Sequence, residues 1–149
     1  RRQRQMCIRD SVATKNAKQL ASNAFFSKCD IFDLLEKCKT SRKNHLAADI
    51  IVSNPPYICE KEKAGMEKNV LDYEPGLALF VPDEDPLKFY RAIAELASIE
   101  LRSWGLLYFE INPLYEKETR EMLEGFGFKD IETKEDSFGK KRIMRAVKI

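Results

Sequence analysis

Apolar residues along this chain fall either into short unbroken runs or into helical spacing. Asp49–Ser53 (DIIVS) and Leu106–Ile111 (LLYFEI) are short runs, which predict strands buried in a parallel sheet. Phe25–Cys29 predicts a further short strand, with Asp30, Ile31, Phe32 and Asp33 at its end. Val12, Ala13, Ala17, Leu20 and Ala21 share one side of a helix over 12–22. Ile31–Cys38 predicts a helical turn and Lys39–Leu46 a polar loop. Tyr90, Ile93, Ala97, Leu101 and Trp104 recur at helical spacing up to Gly105, a natural stop.

Proline and glycine punctuate these runs. Asn54-Pro55-Pro56-Tyr57 stops the DIIVS strand, because neither proline can join a ladder. Residues 57–84 follow as a long irregular region, of a length that in a compact domain is functional or disordered. Asp85-Pro86 predicts a helix start, a capping side chain followed by a ring with its φ preset. Asn112-Pro113 opens another helix, with Tyr115, Thr119, Met122 and Phe126 on one face and Gly125 and Gly127 at its end. Phe128–Thr133 and Arg142–Ile149 predict two strands joined through Asp136, Ser137, Gly139 and Lys140, too short a link for a helical crossover. The order strand, helix, strand, helix, strand, strand predicts an α/β sheet, mainly parallel, closed by a C-terminal antiparallel hairpin.

Composition narrows the class. The chain has 149 residues, 44% hydrophobic and 34% charged, enough for one packed domain and unlike a disordered or disulfide-framework protein. No apolar run approaches the ~20 residues of a membrane helix, so no membrane association is expected. The net charge of +2 comes from one end: residues 1–11 hold Arg1, Arg2, Arg4 and Arg9 against Asp10, and the rest of the chain carries 22 basic against 23 acidic residues. The body thus shows no bias toward nucleic acid. Residues 1–11 are set aside as a disordered or non-native tail, leaving 12–149 as the folded part. Cys7, Cys29, Cys38 and Cys59 form no C-x-x-C pair, and His45 is the single histidine. Reduced thiols, a cytoplasmic setting and no metal site are expected, with His45 in a loop.

The candidate chemistry lies in the tetrapeptide. In open α/β sheets, ligands bind beyond the carboxyl ends of the strands, where Asn54-Pro55-Pro56-Tyr57 is expected. The prolines fix the chain, restrain the preceding Asn and offer no N–H, leaving a rigid ledge with an amide, a carbonyl and an aromatic face. Such a ledge suits a planar NH2 group. The Asn54 oxygen and a proline carbonyl each accept one hydrogen, orienting a nitrogen whose lone pair is otherwise delocalised. A cationic sulfonium methyl is the fitting electrophile, and an aromatic ring tolerates its charge.

These residues resemble a known family. Asp49–Ile58 (DIIVSNPPYI) resembles the motif of amino-group methyltransferases that use S-adenosylmethionine. Further matches are Tyr73-Glu74-Pro75 with Ala78-Leu79, Leu87–Arg91 (LKFYR), Phe109-Glu110-Ile111, Gly125–Phe128 (GFGF), and the late Asp136, Gly139 and Arg142. Together they resemble the HemK/PrmC protein-(glutamine-N5) methyltransferases over residues 12–149. The resemblance implies a partial Rossmann-like class I fold and S-adenosyl-L-methionine as donor. It also implies methylation of the glutamine amide in the Gly-Gly-Gln loop of class-1 peptide chain release factors. By that match Asn54 and the Pro55 carbonyl hold the amide, with Pro56 and Tyr57 lining the pocket. Asn54 also lies beside the donor, Asp30 and Ile31 contact its adenine, and Glu74 lies beside the substrate in a structural or a catalytic role.

Two departures from the family pattern matter. The glycine-rich loop that cradles the donor's amino-acid end and the acidic residue for its ribose belong before residue 12, as does an N-terminal helical domain. None of Gly65, Gly76, Gly105, Gly125, Gly127 and Gly139 forms G-x-G after a strand. Also, Phe80–Asp85 (FVPDED) stands where the family often carries glycines. The chain is therefore expected to be the C-terminal portion of a longer enzyme, its early strand without neighbours, binding the donor weakly or not at all when isolated. Two other readings share the tetrapeptide: methylation of an adenine or guanine amino group, and a catalytically inactive fragment that only binds a partner.

Overall fold

The computed structural model describes the backbone of residues 2–40 and 47–149, and side chains from residue 11 on within those ranges. His45 and most of the predicted 39–46 loop lie outside the described residues. The chain divides into two units, Arg1–Asp30 and Ile31–Ile149.

In the first unit, helix α1 spans Arg2–Gln19 and so begins ten residues before the predicted start at residue 12. It ends where Ala21 takes a left-handed φ of 49° and the Ser22 N–H donates to the Ala17 carbonyl at 2.9 Å. The strand predicted over Phe25–Cys29 does not form. The segment is irregular, with Phe25 98% exposed. A strand exists only as one side of a ladder, and no described residue pairs with this segment.

The second unit carries α2 (Ile31–Thr40), β1 (Ala48–Ser53), β2 (Ile58–Cys59), α3 (Lys68–Tyr73), β3 (Phe80–Val81), α4 (Lys88–Glu100), β4 (Leu101–Glu110), α5 (Glu116–Gly125), β5 (Phe128–Glu135) and β6 (Lys141–Lys148). The main sheet has the order β1-β4-β6-β5. β1 and β4 run parallel, while β6 is antiparallel to both β4 and β5, as the terminal hairpin predicted. With β2 and β3 forming a separate parallel pair, parallel and antiparallel ladders are even in number among the described residues. The sheet is mixed rather than mainly parallel, because only one helical crossover, α4, joins strands of the main sheet in parallel.

The core lies on one sheet face. Leu107, Phe109, Met144 and Ala146 alternate inward from β4 and β6 and meet Tyr90, Ile93, Ala94 and Ala97 of α4 and Leu123 of α5. α2 joins α4 through Leu35, Ala92 and Leu96, with Phe32 tilted against Phe89 at 5.5 Å. β1 is an edge strand, with Ile50 55% and Val52 75% exposed, which corrects the expectation of a strand buried on both faces.

Two helix boundaries differ from the apolar spacing. α4 starts at Lys88, and the Asp85 carboxylate pairs with Arg91 instead of capping the first turn. The helix stops at Glu100, so Leu101 and Trp104 belong to β4. Residues 102–105 bulge out between the Ala48–Leu101 and Ile50–Leu106 pairings. Trp104 there has φ 67° and is 70% exposed. A Cβ at Gly105 would stand 2.9 Å from the Arg102 carbonyl oxygen, so Gly105 serves a close backbone approach and not a helix stop. Gly105→Ala is expected to destabilise the chain by about 1–3 kcal/mol in urea unfolding. An unchanged midpoint would show that the bulge relaxes freely.

Candidate active site beyond the ends of β1 and β4

The parallel pair brings two strand ends side by side, with Ser53 opposite Phe109. Each end is followed by an Asn-Pro step, Asn54-Pro55 after β1 and Asn112-Pro113 after β4. At the first, Asn54 is exposed, Pro55 is buried, and Pro56 and Tyr57 are half-buried. The prolines end the ladder and turn the chain over the sheet edge, as their geometry requires. Asn54 lines a cleft of about 480 Å3 with Ser53, Phe109 and Glu110, floored by Ile50, Val52, Tyr108 and Ile143. A second cleft, about 590 Å3, is lined by Tyr57, Ile58, Glu62, Asn112, Leu114 and Arg142, among others.

Tyr57 is held at both ends. Its hydroxyl donates to Glu110 Oε1 at 2.8 Å, and its carbonyl accepts from Asn112 Nδ2 at 3.2 Å. Asn112, 4% exposed, also donates to Glu62 Oε1 at 2.9 Å, and the same oxygen accepts the Cys59 N–H at 2.7 Å. The Asn112 Oδ1 caps the following 3₁₀ turn by accepting the Leu114 N–H at 3.1 Å. Tyr90 ties the strand end together: its hydroxyl donates to the Glu110 carbonyl at 2.9 Å and accepts the Asn112 N–H at 3.2 Å. The ledge is thus braced against the last residues of β4, a core strand, through fully partnered polar groups.

Electrostatics follow from this bracing. Burial, then the hydrogen bond and charge of Glu110, push the Tyr57 phenol up to about 12, opposed by Arg142 and assisted by Glu62. Burial likewise raises Tyr90 well above the ordinary phenol range. A phenol whose folded pKa exceeds its unfolded value contributes stability that is complete below pH about 10 and is lost as pH rises toward about 12. Glu110→Gln is expected to lower the Tyr57 pKa in a spectrophotometric titration while leaving it above the ordinary value, because burial is the larger cause. A titration curve identical to that of the unsubstituted chain would contradict the Tyr57–Glu110 bond.

The other residues proposed from the sequence lie elsewhere in the chain. Asp30 closes the first unit and Ile31 opens α2, where its side chain packs against the core of the second unit. Glu74 is exposed at the carboxyl-terminal cap of α3, its N–H bonded to the Val70 carbonyl at 3.0 Å. The 57–84 region is not structureless: the Ile58 N–H donates to the Leu79 carbonyl, and β2 pairs with β3 just beyond the ledge. Glu62, Tyr90, Glu110 and Asn112 were not singled out as site residues by the sequence. The repeated Asn-Pro step at both strand ends was the available signal for Asn112. No group of three or more His, Cys, Asp or Glu side chains suited to a metal occurs among the described residues.

No protein-family model matches the chain. It is 49% identical over 136 residues to a release factor glutamine methyltransferase of Bacteroides thetaiotaomicron, covering 91% of this chain and 47% of that protein. A Flavobacterium psychrophilum protein of the same name is 44% identical over 134 residues, covering 90% of this chain and 47% of its own length. A crystal structure of a possible exported protein from Bordetella parapertussis shares the fold at TM-score 0.53 and 16% identity, covering 91% of this chain and 48% of that one. Over the region they share, the chain is similar to these release factor glutamine methyltransferases. It spans about half the length of the curated relatives it matches.

Proposed function

We propose that this chain supplies the acceptor side of protein-glutamine N-methylation on class-1 peptide chain release factors in the cytoplasm. The observation that carries this reading is the exposed Asn54 at the end of a parallel strand, on a ledge whose Tyr57 is clamped at its hydroxyl and its carbonyl. Asn54 Oδ1 and the Pro55 carbonyl accept the two hydrogens of the glutamine amide, aiming the nitrogen lone pair out of the amide plane. Tyr57 walls the site, and its braced backbone keeps the ledge from yielding when the amide pulls on it. The proton becomes acidic only after the nitrogen is alkylated, so the chain needs no base before that point.

S-adenosyl-L-methionine supplies the methyl group when bound. The residues present fit only part of it. Ser53, Asn54 and Glu110 offer polar groups in an otherwise apolar cleft, but none of the six glycines lines that cleft. No glycine stands at the Asn54 cleft to cradle the donor's amino-acid end there, and the chain alone is proposed to bind the donor weakly.

The test is a chimera in which the aligned residues of this chain replace those of the Bacteroides thetaiotaomicron relative. With labelled donor and a class-1 release factor, label is expected on the glutamine side chain, located by peptide mapping. Label appearing on DNA or RNA and not on the release factor would overturn the reading in favour of a nucleobase acceptor.

A further inference from the structure

The ledge is a short span of chain held at both of its ends. At Ser53 the β1–β4 ladder fixes it, opposite Phe109. At Tyr57 the fixing bond comes from a side chain, Asn112 Nδ2 donating to the Tyr57 carbonyl at 3.2 Å. Asn54, Pro55 and Pro56 lie between these two points. The bond at Tyr57 therefore helps to set where the Asn54 amide and the Pro55 carbonyl point.

Asn112 is 4% exposed, and a buried amide with an unpaired polar atom is costly. Its Oδ1 accepts the Leu114 N–H at 3.1 Å, and Nδ2 serves Tyr57 and Glu62, with Glu62 Oε1 at 2.9 Å and Oε2 at 3.3 Å. A carboxylate accepts and never donates, so Glu62 keeps the nitrogen side of the Asn112 amide toward itself. An amide turned the other way would set Oδ1 against the Glu62 carboxylate with no hydrogen between them. Glu62 is itself anchored: Oε1 accepts the Cys59 N–H at 2.7 Å, the back-bond of the 3₁₀ turn Glu60–Gly65, and Cys59 is fully buried. That turn needs the Cys59 bond alone. The bond to Asn112, fifty residues along the chain, is extra to it and runs to the ledge.

We propose that Glu62 is a positioning residue of the acceptor ledge, acting through the Asn112 amide on the Tyr57 carbonyl. The proposal rests on the release-factor reading above. Without Glu62 one Asn112 N–H is orphaned, the amide is free to turn, and the far end of the ledge loosens. Misplacement of a holding group by a fraction of an ångström lowers the rate of a reaction that depends on alignment.

Two measurements test this. In the full chain, followed by NMR, the Asn112 Nδ2 hydrogens should exchange slowly with solvent, and about tenfold faster or more in Glu62→Ala. Free exchange in the unsubstituted chain overturns the proposal without need of any variant. In the chimera, Glu62→Ala is expected to lower kcat for release-factor methylation about tenfold, with KM for the release factor within about twofold. Glu62→Gln keeps an acceptor oxygen for both N–H groups and should restore most of the rate. Asn112→Asp keeps the Leu114 cap but removes the donor to Tyr57, so adding Glu62→Ala to it should cost little more. A Glu62→Ala variant that melts earlier but keeps its kcat overturns the positioning role, leaves Glu62 a cap of its own turn, and leaves the functional reading standing. A raised KM at constant kcat also overturns it, making Glu62 a binding residue. An unsubstituted chimera that leaves the release factor unlabelled overturns that reading, and the inference with it.

Discussion

Asn54→Ala in the chimera is expected to lower kcat for release-factor methylation by about 10²- to 10³-fold, the usual cost of deleting one preorganised hydrogen-bonding partner of the reacting group. The substitution should fold normally, because Asn54 is exposed and its neighbour Pro55 still turns the chain. Its effect should fall more on kcat than on KM, since the amide oxygen contact gains strength only as the nitrogen becomes tetrahedral and its hydrogens more positive. Asn54→Asp keeps an acceptor oxygen but adds a charge to a cleft that Glu110 already lines. It is expected to retain part of the rate that Ala loses. Steady-state kinetics with varied release factor separate these cases, and an Ala variant with unchanged kcat would remove Asn54 from the chemistry.

Phe109→Ala should produce the largest loss of stability, about 3–5 kcal/mol in urea unfolding, the range for emptying a buried aromatic site. Phe109 is 1% exposed, meets the Tyr90 ring edge-on at 5.1 Å, and sits opposite Ser53 in the parallel ladder. The cavity would open directly beneath the strand ends that carry the ledge. Tyr90 would then lose its packing partner while its hydroxyl still bridges Glu110 and Asn112. The loss of stability should therefore be accompanied by looser placement of Tyr57. A shift in midpoint worth less than about 1 kcal/mol would mean that the core collapses around the gap.

Local chemistry made much of this legible in the sequence. The Asn54-Pro55 stop after DIIVS, the Asn112-Pro113 opening of the next helical turn and the glycine that ends α5 depend on neighbours in the chain, and each stands where its residues require. Elements that depend on partners were harder to read. Phe25–Cys29 has the composition of a strand but no ladder, and β1 reads as buried although it lies at an edge. Leu101 and Trp104 keep helical spacing with α4, yet the backbone breaks at Glu100, because pairing with Ala48 draws Leu101 into the sheet. The ledge itself was visible, while its supports were not. Glu62 and Tyr57 reach Asn112 and Glu110 across about fifty residues of chain, and no spacing rule connects such pairs.

The decisive measurement is a crystal structure of the chimera with a glutamine peptide from a class-1 release factor. The side-chain amide nitrogen should lie about 2.7–3.2 Å from both Asn54 Oδ1 and the Pro55 carbonyl oxygen, with the Tyr57 ring beside it. A peptide amide seated elsewhere, with Asn54 facing solvent or bonded only within the chain, would contradict the account.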